Sequence, residues 1–156
     1  MPELEELQVP STHTSLNYHV VFSTKERRNY IEAAWCGRLH EYLGGAVRSL
    51  GGVPLAIGGT GDHVHLLISL SGTHRLAEVV RDVKTASSKW VHETIGSRLF
   101  AWQEGYGAFT VSPSNRDAVC KYVLNQEEHH RKKSFQEEYR ELLERAGVQF
   151  EEKYLW

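Results

Sequence analysis

Leu16-Asn17-Tyr18-His19-Val20-Val21-Phe22-Ser23 alternates apolar and polar side chains through its first half and is rich in β-branched and aromatic residues, which predicts a strand. Ile31, Trp35, Leu39, Leu43, Val47 and Leu50 then recur every three or four residues, and Gly51-Gly52 follows as a stop, the pattern of an amphipathic helix. Residues 53–57 and 63–70 read as two strands joined by the glycine-rich turn Gly58-Gly59-Thr60-Gly61-Asp62, a β-hairpin. Between residues 74 and 95, Leu76, Val79, Val80, Val83, Trp90, Val91 and Ile95 gather mostly on one side of a second long helix. A short strand over residues 105–112 is ended by Pro113. Ser114 has an acid three residues on, at Asp117, as an N-cap would, and predicts a helix running through Val119, Tyr122 and Val123. Ser134 and Glu137 repeat that spacing for a last helix ending at Gly147.

The order β, α, β-hairpin, α, β, α, α predicts an α+β fold, a mixed and largely antiparallel sheet with helices on one face. At 156 residues with 40% hydrophobic composition, the chain suits one domain, over residues 15–156, with a helical extension from about residue 131. Residues 1–14, which hold Pro2, Pro10 and three acids, read as a flexible leader. Cys36 and Cys120 lie far apart in helical patterns with no secretory segment before them, so a reducing, cytoplasmic setting is expected and neither thiol is given a role. No apolar run approaches the roughly 20 residues that span a membrane.

Charge first argues against a nucleic-acid partner and then, by its distribution, allows one. The formal net charge is −2, yet residues 1–11 carry three acids and no base, and residues 137–156 carry six acids against three bases. Removing these from the totals of 18 basic and 20 acidic residues leaves 15 and 11 over residues 12–136, a net of +4. The interior of the chain is mildly basic.

Two short patterns carry candidate chemistry. In a strand, His63 and His65 point to the same face about 6–7 Å apart, close enough to share one metal ion while Val64, Leu66 and Ile68 face the other way. Alone, the pair is equally a packed or solvated one. On a helix, Tyr122 and Gln126 are i and i+4 and present a phenol and an amide oxygen together. That pair too has an ordinary alternative, a packed aromatic beside a common helix former.

The four residues stand in a longer context. Asn17-Tyr18-His19-Val20-Val21-Phe22-Ser23-Thr24-Lys25 followed by Arg27-Arg28, then Asp62-His63-Val64-His65-Leu66-Leu67, Ser87-Ser88-Lys89-Trp90 and Tyr122-Val123-Leu124-Asn125-Gln126, in that order, resemble the single-tyrosine transposases of the insertion sequence 200 and 605 group. These are members of the His-hydrophobe-His endonuclease superfamily. The resemblance implies a ferredoxin-like fold and a DNA transposase. It implies that Tyr122 attacks single-stranded DNA to give a 5′-phosphotyrosine, with Mg²⁺ or Mn²⁺ held by His63, His65 and Gln126. It further implies single-stranded DNA with hairpin ends as substrate, and a homodimer in which the tyrosine helix of one subunit completes the metal site of the other. The near-neutral charge and the acidic C-terminal extension depart from that pattern and bear on DNA affinity. A domesticated, repeat-associated transposase is the nearest alternative.

The remaining conspicuous residues read more plainly. His129 and His130 follow two glutamates at a helix end and read as solvated, and Arg131-Lys132-Lys133 as a charged face able to meet phosphate. Two readings from other classes stand beside the transposase. A non-catalytic single-strand-binding module would stack bases on Tyr18 and Phe22, and a different metal nuclease would use water in place of Tyr122.

Overall fold

A computed structural model describes residues 11–156. It contains strands β1 (Leu16–Ser23), β2 (Val53–Gly59), β3 (His63–Leu70) and β4 (Gly107–Val111). The helices are α1 (Ala33–Ser49), α2 (Leu76–Trp90), α3 (Arg116–Leu124), the single turn α4 (Gln126–His129) and α5 (Phe135–Arg145). The strands form one sheet in the order β2-β3-β1-β4, and every pairing is antiparallel. The expected leader falls largely outside the described residues; residues 11–14 of it are exposed.

Alternation along the central strands divides the sheet into two faces. Val20 and Phe22 of β1 and Val64, Leu66 and Ile68 of β3 form one core with Trp35, Leu39, Leu43 and Val47 of α1 and Val79, Val80 and Val83 of α2. The two long helices share that face, as the apolar periodicity predicts. Helix α1 stops where Gly51 takes a left-handed φ of 85°, so that Gly51 N–H donates to Arg48 O at 3.0 Å and Gly52 N–H to Val47 O at 3.1 Å. Helix α2 ends sooner than its pattern suggests, and residues 91–95 form one wider turn capped by Gly96.

The other face is also covered, so the expectation of helices on one face holds only for α1 and α2. Leu67, Ala56 and Val111 pack on Val123 of α3, while Val21 packs with Phe135, Tyr139 and Leu143 of α5 and with Leu155 near the C-terminus. Short helices with few apolar positions carry little periodic signal, so their docking is decided by contacts distant in sequence. Ser134 caps α5 by accepting from Glu137 N–H, as expected. Ser114 caps nothing: its hydroxyl pairs with Ser112, residues 113–115 form a 3₁₀ turn, and α3 starts two residues later.

Candidate active site

The site lies on this second face, where the register sets the side chains of two strands side by side. Ser23 is opposite His63, Val21 opposite His65 and His19 opposite Leu67, so His19, His63 and His65 project from adjoining positions of β1 and β3. Beyond them, β2 places Gly58 beside His65. A Cβ on Gly58 would lie 1.9 Å from Val123 O, so only glycine lets the backbone of α3 sit directly on the sheet.

That close approach brings the helix residues to the histidines. Gln126 Oε1 lies 3.0 Å from His63 Nε2, and its amide nitrogen donates to Tyr122 O at 3.2 Å, which fixes the oxygen toward the imidazoles. The Tyr122 ring stands edge-on to His65 with centroids 5.7 Å apart. Tyr122 and Gln126 do not share one unbroken helix, because Asn125 (φ −107°, ψ 28°) separates α3 from α4, yet the spacing still turns both toward the site. All four residues singled out from the sequence therefore meet, and they meet within one chain. The sharing of the site between two subunits, implied by the resemblance, is not required by this geometry, since the tyrosine helix docks on its own sheet.

Five participants were assigned no part in the site by sequence alone. Glu138 of α5, 2% exposed, places Oε1 at 2.8 Å from His65 Nε2, 3.3 Å from His130 Nε2 and 3.7 Å from His63 Nε2. Its Oε2 accepts from the Tyr122 hydroxyl and lies 3.1 Å from His129 Nε2. His129 and His130 are thus parts of the site rather than solvated residues, and His130 could have been found, being i+4 from Gln126 on the same face. Asp62 accepts from His63 Nδ1 at 2.7 Å, and His19 Nε2 meets His65 Nδ1 at 2.7 Å. Asp62 and His19 lie inside the quoted motifs, but Glu138 had no local signal at all.

The tautomers follow from these partners. With Nδ1–H of His63 donating to Asp62, and Nδ1–H of His130 donating to Lys133 O at 2.6 Å, both rings aim an Nε2 lone pair at Glu138 Oε1 and Gln126 Oε1, which are themselves acceptors. Such a gathering needs positive charge among its members, a proton or a metal cation. Burial works against a proton on His130, but the hydrogen bond to Glu138 outweighs it and raises that pKa. Burial lowers His65 to about 4 and His19 to about 3, so both rings stay neutral near pH 7. Burial also pushes Glu138 upward, yet the hydrogen bonds it receives from His130, once that ring is protonated at Nε2, and from His65 prevail and keep it an ionised carboxylate. The Tyr122 hydroxyl is raised by burial and by the adjoining Glu138 and stays protonated.

The set of His63, His65, His130 and Glu138, whose ligand atoms lie within 4.8 Å of one another, suits a divalent first-row cation. A metal–ligand distance of about 2.1 Å gives ligand–ligand edges of about 3.0 Å in an octahedron and about 3.4 Å in a tetrahedron. The separations of the imidazole nitrogens from Glu138 Oε1 and Gln126 Oε1, 2.8 to 3.7 Å, bracket those edges. The Asp62–His63 hydrogen bond is the outer support that metal-binding histidines commonly have. Beside Tyr122 a cleft of about 610 Å³ opens to solvent, lined by Lys121, Asn125, His129, Lys132 and Lys133.

Tyr122 of α3, Gln126 of α4 and the strand histidines His63 and His65 thus gather at one point against an antiparallel sheet. The chain belongs to the transposase family described as IS200 like, which it matches over residues 12–126. It is 25% identical over 117 residues to the ISDra2 transposase TnpA of Deinococcus radiodurans, a match covering 71% of this chain and 84% of that one. In fold it resembles a Deinococcus radiodurans crystal structure described as that of a transposase, with a TM-score of 0.60, 23% identity and coverage of 76% of this chain and 96% of the other. A REP-associated tyrosine transposase bound to a REP hairpin is also similar, with a TM-score of 0.54, 13% identity and coverage of 74% and 69%. Helix α5, and Glu138 with it, lies beyond the segment matched by the family.

Proposed function

We propose that this transposase-family chain cleaves and rejoins single-stranded DNA through a covalent 5′-phosphotyrosine on Tyr122, assisted by Mg²⁺ or Mn²⁺ held by His63, His65 and Gln126. The observation that carries the reading is the convergence of the Tyr122 hydroxyl and the buried Nε2 lone pairs on one point of the sheet. An ordinary phenol of pKa about 10 is ionised on the order of one part in a thousand at neutral pH, and burial with Glu138 beside it holds Tyr122 higher still, so the reaction needs electrostatic help. A bound divalent cation would polarise the phosphate and stabilise the charge of the transferring group.

The chain's own residues supply the rest. The Tyr122 hydroxyl gives up its proton as its oxygen attacks phosphorus, the bond from phosphorus to the 3′ oxygen breaks, and that oxygen takes up a proton and leaves as a 3′-hydroxyl, so that one proton is lost and one gained. The phosphodiester to tyrosine keeps the energy of the broken bond, so a later attack by another 3′-hydroxyl rejoins the strand without ATP. Lys121, Lys132 and Lys133 line the approach to Tyr122 and offer charge to the phosphates of an unpaired strand. A paired duplex would hold its scissile phosphate away from a recess between a strand and a helix, which favours unpaired DNA next to a hairpin as substrate. Transposition of an insertion sequence, in the cytoplasm, is the role consistent with this chemistry.

Stacking of bases on the sheet has no support, since Phe22 is buried and Tyr18 packs against the same helix-covered core. The test is incubation with end-labelled hairpin DNA carrying an unpaired flank, followed by a denaturing gel. The wild type should give a covalent adduct, and Tyr122→Phe should give neither adduct nor cleavage while keeping its fold. Cleavage by Tyr122→Phe would remove the tyrosine from the mechanism and favour water as nucleophile.

A further inference from the structure

Glu138 is built into the site, not merely near it. Its helix is anchored by Phe135, whose ring stacks on His63 with centroids 4.3 Å apart, and by Tyr139, which packs so closely on β4 that a Cβ on Gly107 would meet it at 2.7 Å. Val21, Leu143 and Leu155 complete that contact. A carboxylate held 2% exposed costs several kcal/mol to desolvate unless its partners compensate. Here two of the partners, His63 and His130, have already given their Nδ1 hydrogens to Asp62 and to Lys133 O, so that as neutral rings they turn lone pairs to the carboxylate, the arrangement a shared cation would satisfy.

We propose that Glu138 is a ligand of the divalent cation through Oε1 and, through Oε2, holds the Tyr122 hydroxyl beside it. The assignment rests on the metal-assisted reading above and extends it to a helix outside the family-matched segment. Oε1 stands at ligand–ligand edge distances from three imidazole nitrogens, while Oε2 faces away from them toward Tyr122 and His129. One carboxylate thereby ties the position of the nucleophile to occupancy of the metal site. Added to His63, His65 and Gln126, the carboxylate gives the donor set a negative charge, while its imidazole nitrogens favour Mn²⁺ over Mg²⁺.

Calorimetric titration of the full chain with Mn²⁺ tests the assignment without reference to activity. Wild type should bind one ion. Glu138→Gln, nearly isosteric but a weaker ligand, should bind at least about tenfold more weakly, and the visible spectrum of bound Co²⁺ should change with it. His63→Ala serves as the reference for the underlying metal reading. If His63→Ala loses Mn²⁺ while Glu138→Gln binds like wild type, Glu138 is not a ligand and the proposal fails with the metal reading intact. If wild type binds no Mn²⁺, both fail.

A second measurement needs no variant. Adding Mn²⁺ to wild type should slow amide hydrogen exchange across residues 135–145, because opening of α5 would then release the ion. Unchanged or faster exchange there would show that the cation displaces Glu138, and would overturn the assignment even if Glu138→Gln does not fold.

Discussion

Gly58→Ala isolates the contact that carries Tyr122 to the histidines. The new methyl would lie 1.9 Å from Val123 O and 2.9 Å from Val123 C, where a carbon–oxygen contact sits at about 3.3 Å. About 1.4 Å of separation must therefore be found. Neither neighbour is the free end of a flexible side chain: one is helix backbone next to Tyr122, and the other is strand backbone paired with His65. The helix must lift or β2 must bend, and either moves Tyr122 and Gln126 relative to His63 and His65.

A misplacement of about 1 Å at a reacting group can cost on the order of 10²-fold in rate. Overpacking should also cost about 1–3 kcal/mol of stability, offset in part by the smaller conformational freedom of alanine in the unfolded chain. The assay is single-turnover adduct formation on hairpin DNA, with thermal unfolding followed by circular dichroism. Gly45→Ala is the control, since that glycine lies exposed inside α1 with nothing within 4 Å of a new Cβ. It should keep the wild-type rate and gain up to about 1 kcal/mol from helix propensity. Wild-type rate and stability in Gly58→Ala would refute the view that direct backbone contact sets the tyrosine's position.

Other consequences can be measured separately. Co-expressing a His63→Ala, His65→Ala chain with a Tyr122→Phe chain should leave cleavage at background, because the site closes within one chain; restored cleavage by a verified heterodimer would show a shared site. Without added metal, stability should fall as pH drops from about 6.5 toward 4. The buried His19 and His65, lowered to about 3 and about 4, bind fewer protons in the folded state than in the unfolded state across that window. Each then removes about 1.4 kcal/mol per pH unit, so denaturant titrations of His19→Gln should show a fall with pH that is shallower than wild type by about that amount. Asp62→Asn should weaken Mn²⁺ binding about 10- to 100-fold in calorimetry by loosening the orientation of His63, and an unchanged affinity would deny Asp62 that part.

The chain's own periodicities determined much of this protein. Strand alternation in residues 16–23 and 63–70 and the apolar rows of α1 and α2 are local patterns, so the sheet and its first helical layer were legible. The His63-Val64-His65 spacing was legible for the same reason, being two positions on one face of one strand, and the Tyr122/Gln126 spacing of four still turns both residues to one side across the break at Asn125. The second layer was decided only in three dimensions. Helix α3 reaches the sheet through a missing side chain at Gly58, and an absence reads in sequence as an ordinary turn glycine. Glu138 is one of many acids in an acidic extension, and its role comes from Phe135 and Tyr139 packing across β1 and β4, a relation among residues far apart in the chain. His129 and His130 read as solvated because exposure depends on what covers a helix, and the cover is α5.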